Sequence, residues 1–150
     1  MQQDVLVVDD DEVIRQLLAS ILTDEGYRVR SAGDAYQAIE EVSQATPGLL
    51  LLDLMMPGVS GVELLTRLRR DQRWQELPVI LISAHPRLHE IAQELGARAA
   101  LTKPFNVSTL VSQVGQIFHP SLTNGAGLGT DGRANGAGLG TDGRPFTGRD

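Results

Sequence analysis

Three aspartates stand directly after short apolar segments, where their carboxylates could hold a cation. Asp53 follows the all-leucine segment 49–52, and Asp9 and Asp10 follow the apolar segment 5–8. Short runs of branched apolar residues are typical of strands buried on both faces of a parallel sheet. Open α/β sheets bind their ligands at the carboxyl ends of such strands. Oxygen ligands without Cys or His favour a hard cation, so these carboxylates predict a site for Mg²⁺, with Mn²⁺ as the alternative.

A hydroxyl and an ammonium group follow two further segments of the same kind. Ser83 comes after residues 79–82, and Lys103, the single lysine of the chain, comes after residues 99–102. A lysine is a compact point charge that suits one phosphate oxygen. A carboxylate such as Asp53 can attack phosphorus, and a cation, an ammonium and a hydroxyl can stabilise the oxygens of the transferred group. The predicted chemistry is therefore phosphoryl transfer to Asp53.

Helical patterns separate these segments, and each begins with a residue suited to capping a helix. Asp11 is the expected N-cap of the first helix, and Asn106 that of the last. The spacings Asp34-x-x-Gln37 and Ser60-x-x-Glu63 are typical of capping boxes, and Pro86 is expected to open the fourth helix. The first helix has a predicted inward stripe of Val13, Ile14, Leu17, Leu18, Ile21 and Leu22.

The alternation of strands and helices predicts an α/β fold. Strands separated by helices imply parallel pairing with right-handed crossovers. Residues 28–31 supply the remaining strand, so the expected arrangement is a doubly wound (βα)5 fold with a five-stranded parallel sheet. The expected strand order, 2-1-3-4-5, brings the carboxyl ends of strands 1, 3, 4 and 5 side by side. The polar residues that follow those strands would then share one edge of the sheet.

Composition and charge limit the possible functions. The chain has 13 basic and 19 acidic residues and a net charge of -6, which argues against direct nucleic-acid binding because that needs a basic face. It has no cysteine, so disulfides and thiol chemistry are excluded. We also find no basic-then-apolar leader and no apolar run long enough to span a membrane. We therefore expect a cytoplasmic protein without a membrane partner.

The end of the chain differs from the rest in composition. Residues 124–133 read NGAGLGTDGR, and residues 135–144 repeat this decapeptide without change. Nine of the sixteen glycines lie in residues 121–150, a segment with too little apolar surface to offset the entropy of ordering. We therefore expect a folded domain at 1–119 and a flexible glycine-rich tail at 120–150. A calcium-binding β-roll is disfavoured, because its repeat is about nine residues long.

Four short motifs resemble the response-regulator receiver domain of two-component signalling. They are VLVVDDD at 5–11, LLDLMMPG at 51–58, ISA at 82–84 and LTKPF at 101–105. Each motif alone is weak, but four in the right order are specific, and the resemblance covers about residues 4–119. It implies a flavodoxin-like fold similar to that of the chemotaxis-Y proteins. It also implies a phosphoprotein that is not an enzyme, beyond Mg²⁺-dependent phosphorylation and dephosphorylation of itself.

The resemblance implies a role for each acidic residue and for one main-chain group. Asp9, Asp10 and Asp53 would bind Mg²⁺, with the main-chain carbonyl of Met55 as a further ligand. Asp53 would also accept the phosphoryl group from a phosphohistidine. The implied donor is a sensor histidine kinase or a histidine phosphotransfer protein. A downstream protein would bind the face formed by the fourth helix, the fifth strand and the fifth helix, and a homodimer is left open.

The switch itself departs from the family pattern at one position. By resemblance, Ser83 would move to bond the phosphoryl group and Lys103 would contact it, with a cis peptide bond before Pro104. Family members usually carry Tyr or Phe three residues before the lysine, and this aromatic ring turns inward on activation. Here the position is Ala100. How the signal reaches the output face is therefore left open.

We predict a single-domain regulator, because the glycine-rich residues 120–150 cannot form an output domain. One alternative is a receiver module excised from a hybrid kinase or a larger regulator. Another is a phosphorylation-independent binding module with a degenerate site. A hydrolase of the haloacid-dehalogenase type also uses a strand-end Asp with Mg²⁺, but it needs a second Asp two residues after the nucleophile. Met55 occupies that position here, which argues against such an enzyme.

Overall fold

A computed structural model describes residues 3–120, and within them five parallel strands form one sheet. The strands are β1 (Asp4–Val8), β2 (Arg28–Ala32), β3 (Leu49–Leu52), β4 (Val79–Ser83) and β5 (Ala99–Thr102). The α-helices are α1 (Glu12–Asp24), α2 (Ala35–Gln44), α3 (Gly61–Arg70), α4 (Leu88–Glu94) and α5 (Val107–Phe118). The strand order is β2-β1-β3-β4-β5, which confirms the predicted doubly wound fold. The decapeptide repeats lie outside the described residues.

The leucine strand is buried on both faces of the sheet. Leu50 and Leu52 belong to an apolar cluster that also contains residues of α2, α3 and α4. Leu49 and Leu51 belong to a second cluster, with residues of α1 and α5. Successive side chains of a strand point to opposite faces, so a strand covered by helices on both sides needs an uninterrupted apolar run. This is why residues 49–52 show no polar alternation.

Side-chain capping at four helices agrees with the sequence prediction. Four α-helices have an N-cap side chain that accepts a hydrogen bond from a main-chain N–H of the first turn. The N-caps of α1, α2, α3 and α5 are, in that order, Asp11, Asp34, Ser60 and Asn106. The fourth helix begins later than predicted, at Leu88 with Arg87 as its N-cap. Pro86 lies in the turn before it, where the Arg87 N–H donates to His85 Nδ1 at 3.0 Å.

The predicted inward stripe of the first helix was too wide. Leu18 and Leu22 are buried, but Val13 is 73% exposed and Leu17 is 45% exposed. Only a narrow stripe of α1 packs against the sheet and α5, because a helix turns by 100° at each residue. The two exposed side chains therefore lie on the surface of the domain. Within residues 3–120, no helix combines the length and the apolar character that crossing a membrane requires.

Candidate metal site at the carboxyl edge of the sheet

Three carboxylates meet where β1 and β3 end. The two strands are paired in register from Val5 with Leu49 to Val8 with Leu52, so the residues that follow them are neighbours in space. Asp9, Asp10 and Asp53 each offer an oxygen, and these oxygens lie within 4.8 Å of one another. Asp9 is 2% exposed and Asp53 is 5% exposed, whereas Asp10 is open to solvent.

Lys103 joins two of these carboxylates from the end of β5. Its Nζ donates to Asp9 Oδ2 at 2.8 Å and to Asp53 Oδ2 at 2.7 Å. Burial disfavours the charged ammonium, but the hydrogen bonds to the two carboxylates outweigh this effect and raise the pKa of Lys103. One positive charge therefore lies between two buried negative charges.

Burial also acts on Asp9. It raises the pKa of the Asp9 carboxyl, although hydrogen bonds from Lys103 and from the Asp11 N–H oppose the shift. The Asp11 N–H donates to Asp9 Oδ1 at 2.9 Å, and the Met55 N–H donates to Asp53 Oδ1 at the same distance. Both buried carboxylates are thus fixed by main-chain donors on one oxygen and by Lys103 on the other.

The donor set fits a hard divalent cation. Carboxylate oxygens have two lone pairs each, so the oxygens that accept one hydrogen bond retain capacity for a metal. Mg²⁺ prefers oxygen ligands and is commonly bound through one or two carboxylates together with water. The predicted Mg²⁺ ligands Asp9, Asp10 and Asp53 are brought together here, and the Met55 carbonyl stays a prediction. The Met55 side chain is 51% exposed beside this site.

Ser83 ends β4 next to the lysine. It is fully buried and pairs in register with Thr102 of β5, and its carbonyl accepts the Lys103 N–H at 3.0 Å. Its hydroxyl oxygen accepts the His85 N–H at 3.2 Å. The site is thereby linked through hydrogen bonds to the turn that precedes α4. The roles predicted for Ser83 and Lys103 in phosphoryl transfer stay predictions.

Two positions that the sequence singled out lie in β5 and directly after it. The Lys103–Pro104 peptide bond is cis, as the resemblance implied. Ala100 is fully buried in an apolar cluster with Leu88 and Ile91 of α4. A small residue at this position lets α4 and β5 share one continuous core without an aromatic ring between them.

A glycine that the sequence patterns did not single out supports the strand end that carries Asp53. The Gly61 N–H donates to the Leu54 carbonyl at 3.0 Å, which draws the start of α3 onto the residues after β3. A Cβ on Gly61 would overlap the Asp53 carbonyl oxygen and would lie 2.7 Å from Leu54 Cα. The signal in the sequence was a glycine directly after the capping Ser60, but its contact with Asp53 needs the tertiary structure.

Comparison with protein families gives one match that covers most of the folded region. The model of the response regulator receiver domain matches residues 5–115. The nitrogen assimilation regulatory protein NtrX of Azorhizobium caulinodans is 39% identical in an alignment of 115 residues that covers 74% of this chain and 25% of the relative. The phosphate regulon transcriptional regulatory protein PhoB of Pseudomonas aeruginosa is 38% identical in an alignment of 112 residues that covers 73% of this chain and 49% of the relative. The chain thus spans a quarter to a half of these curated relatives.

Two solved structures with the same fold span little more than the folded region itself. Chemotaxis protein CheY4 of Vibrio cholerae superimposes with a TM-score of 0.71 at 28% identity, over 78% of this chain and 99% of that chain. A response regulator receiver protein of Pseudomonas putida gives a TM-score of 0.72 at 30% identity, over 77% of this chain and 98% of that chain.

Proposed function

Because this chain belongs to the family of response regulator receiver domains, we propose that it is a phosphoacceptor switch in a two-component phosphorelay. Receiver domains are phosphoacceptor switches and generally not enzymes. In this proposal, Asp53 accepts a phosphoryl group from a phosphohistidine in a reaction that depends on Mg²⁺. The observation that carries the proposal is the buried Asp53 carboxylate, which shares Lys103 with Asp9 at the carboxyl edge of the sheet.

The proposed step is an in-line displacement at phosphorus. An Asp53 carboxylate oxygen attacks the phosphorus atom, the bond between phosphorus and the histidine nitrogen breaks, and its electron pair stays on that nitrogen. Asp9 and Asp10 would hold Mg²⁺, which when bound neutralises charge on the phosphoryl oxygens. The Lys103 ammonium, now shared between Asp53 and Asp9, is placed to move to a phosphoryl oxygen.

The new charge supplies the signal in this proposal. An acyl phosphate adds a charge of about -1.5 to -2 at the edge of the sheet. A Ser83 hydroxyl that turns to bond the phosphoryl group would release the His85 N–H. His85 in turn accepts the Arg87 N–H at the start of α4. With Ala100 in place of an aromatic ring, we expect the start of α4 to carry the change to the output face of α4, β5 and α5.

Exposed apolar side chains near the strand ends support a protein as the phosphodonor. Val13, Met55 and Val107 are large and exposed, and each lies within five residues of the carboxyl end of a strand. Exposed apolar groups of this size are typical of protein contacts when they lie near one another. Receiver domains interact with histidine kinases or histidine phosphotransfer proteins, so we assign these side chains to contact with one of those two donors.

The output of the proposed switch is a protein contact at the face of α4, β5 and α5, without direct nucleic-acid binding. Several relatives are named as transcriptional or DNA-binding regulators, but this chain matches only part of their length. The single-domain regulator stays a prediction; solved receiver structures of nearly this extent include chemotaxis protein CheY4 and the receiver domain of a histidine kinase. A module of a longer regulator or hybrid kinase is the alternative. The proposal places the chain in the cytoplasm.

A phosphorylation-independent binding module is the second candidate, because Ala100 removes the aromatic part of the usual switch. Intact mass after incubation with Mg²⁺ and acetyl phosphate separates the two. We expect one phosphoryl adduct on the wild-type chain, its loss when Mg²⁺ is chelated, and its loss in Asp53→Asn. The control Asp71→Asn changes an acid at the end of α3 and should keep the adduct. No adduct from acetyl phosphate or from a histidine kinase would favour the binding module.

A further inference from the structure

Arg15 contacts the main chain of the acid pair from α1. Its Nη1 donates to the Asp9 carbonyl at 2.8 Å. The same guanidinium lies against Gly33 at the end of β2, where a Cβ would stand 3.1 Å from Nη1 and 3.5 Å from Cζ. The guanidinium therefore lies between the main chain of Gly33 and the Asp9 carbonyl.

The segment that Arg15 lies against is itself held in place. The Gly33 N–H donates to Gln37 Oε1 at 2.9 Å, and the Gln37 N–H donates to Asp34 Oδ1 at 2.8 Å. The Asp9 N–H donates to the Ala32 carbonyl at 3.2 Å. Both main-chain groups of Asp9 therefore have fixed partners: the N–H bonds to the end of β2, and the carbonyl bonds to Arg15.

The carbonyl that Arg15 holds belongs to the peptide bond between Asp9 and Asp10. Fixing its direction fixes the plane of that peptide, because the peptide group is rigid. The plane fixes the N–Cα bond of Asp10, and so the point on the backbone from which the Asp10 side chain starts. We propose that Arg15 is a positioning residue that orients the Asp9–Asp10 pair for Mg²⁺, an inference that rests on the proposed function.

Charge and position predict opposite effects of removing the guanidinium. A positive charge close to a cation site repels Mg²⁺, so its removal would tighten Mg²⁺ binding if charge alone mattered. If the guanidinium instead fixes the ligands, its removal weakens binding by about 10-fold or more, as for other groups that orient metal ligands. The substitution Arg15→Gln therefore separates the two roles by the direction of the change in affinity.

Two further variants test position without removing the charge. Gly33→Ala adds a Cβ that crowds the guanidinium, and the Gly33 backbone lies outside the left-handed region, so alanine adds no conformational strain. Arg15→Lys retains the charge and a donor but loses the planar fork. We expect Gly33→Ala to weaken Mg²⁺ binding by about 3-fold or more, and Arg15→Lys to weaken it less than Arg15→Gln does.

The test is calorimetric titration of the full chain with Mg²⁺ at constant ionic strength, at a temperature where circular dichroism shows each variant folded. Arg70→Gln is the matched control, because it removes an exposed arginine from the far end of α3 and should leave the affinity unchanged. Weaker binding in Arg15→Gln and Gly33→Ala supports the positioning role. If Arg15→Gln does not fold, Gly33→Ala and Arg15→Lys decide.

The outcomes also separate this inference from the proposed function. Wild-type chain that binds Mg²⁺, together with variants that bind it equally or more tightly, would overturn the role of Arg15 and leave the switch intact. Wild-type chain that binds no Mg²⁺ would overturn both. Weaker binding in the Arg15 and Gly33 variants, together with normal binding in Arg70→Gln, is the result that we expect.

Discussion

At the scale of single residues, Lys103 stabilises the acid site by compensating two buried carboxylates. Its ammonium contacts both Asp9 and Asp53, and those two side chains are 3% and 6% exposed. Loss of one partner from a buried ion pair leaves an uncompensated charge and is strongly destabilising. We expect Lys103→Met to lower the free energy of unfolding by about 3 kcal/mol at pH 7 without Mg²⁺, as measured by urea denaturation.

The matched control for this prediction is an exposed ion pair. Arg87 and Glu90 form a pair in which both side chains are more than half exposed. Exposed pairs of this kind contribute little, because solvent screens them. Arg87→Met should therefore leave the free energy of unfolding nearly unchanged. If Lys103→Met lowers the free energy of unfolding by no more than Arg87→Met does, Lys103 does not compensate the carboxylates.

The pH dependence of the same variant gives an independent check. The pKa of Lys103 is raised in the folded chain, so its stabilisation is complete below the unfolded value of 10.5 and is lost as the pH rises through the folded value.

The pKa of Asp9 is raised above 3.8, so acidification protonates this carboxyl in the folded chain before the unfolded one. Because Lys103 opposes that rise, acid should stabilise Lys103→Met more than the wild type. The stability difference between the two should be greatest near neutral pH, and it should shrink in acid and again above pH 10.5. A difference that stays constant from pH 7 down to pH 4 would contradict this account.

At the scale of elements, the start of α3 fixes the strand end that carries Asp53. Only glycine fits at position 61, because a Cβ would overlap the Asp53 carbonyl. We expect Gly61→Ala to destabilise the fold by about 3 kcal/mol, the upper range for overpacking, and to slow formation of the phosphoryl adduct. Urea denaturation and intact mass measure the two effects.

A second glycine provides the control for this substitution. Gly96 has φ of +70° and open space around its Cα, so Gly96→Ala costs only the left-handed conformation, about 1 kcal/mol. It lies at the opposite edge of the sheet from Asp53, before β5, and should leave adduct formation unchanged. Equal effects of the two substitutions on stability and on the adduct would mean that contact with Asp53 is not what requires Gly61.

The starts of the four helices with a side-chain cap were predictable from local chemistry, whereas long-range anchors were not. The caps Asp11, Ser60 and Asn106 bond to N–H groups two or three residues ahead, so their signal lies within one turn of sequence. Arg69 is different, because its guanidinium donates to main-chain carbonyls of two separate segments. These are the carbonyls of Trp74 and Leu77, shortly after α3, and those of Leu95 and Gly96, after α4. A carbonyl is present at every residue, so no residue type marks the partners of such an arginine. Burial lowers the pKa of Arg69.

At the scale of the whole molecule, the parallel topology made the candidate site predictable. Parallel strands point their carboxyl ends to one edge, so polar residues from distant parts of the sequence had to meet there. The exact hydrogen bonds could not be predicted in the same way. That Lys103 lies between Asp9 and Asp53, and that Arg15 holds the Asp9 carbonyl, depends on side-chain packing across several elements.

Mg²⁺ should stabilise the whole fold, because a ligand that binds only the folded state raises the free energy of unfolding of the protein. At a Mg²⁺ concentration of 100 times the dissociation constant, the expected gain is about 2.7 kcal/mol. For a folded region of this size, that corresponds to a rise in Tm of about 10 °C. We expect this rise in a thermal scan of the wild-type chain with MgCl₂, and no comparable rise with NaCl at the same ionic strength.

A substitution of the exposed Asp10, a predicted Mg²⁺ ligand, distinguishes binding of Mg²⁺ at the site from general screening of the negative charge of the domain. Asp10→Asn removes one carboxylate of the three but leaves the buried pair with Lys103 in place. We expect the Mg²⁺-dependent rise in Tm of this variant to be less than half of the rise in the wild type. The control Asp71→Asn removes a carboxylate remote from the site and should keep the full rise. If Asp10→Asn and Asp71→Asn respond to Mg²⁺ as the wild type does, the ion acts on the overall negative charge and not at the edge of the sheet.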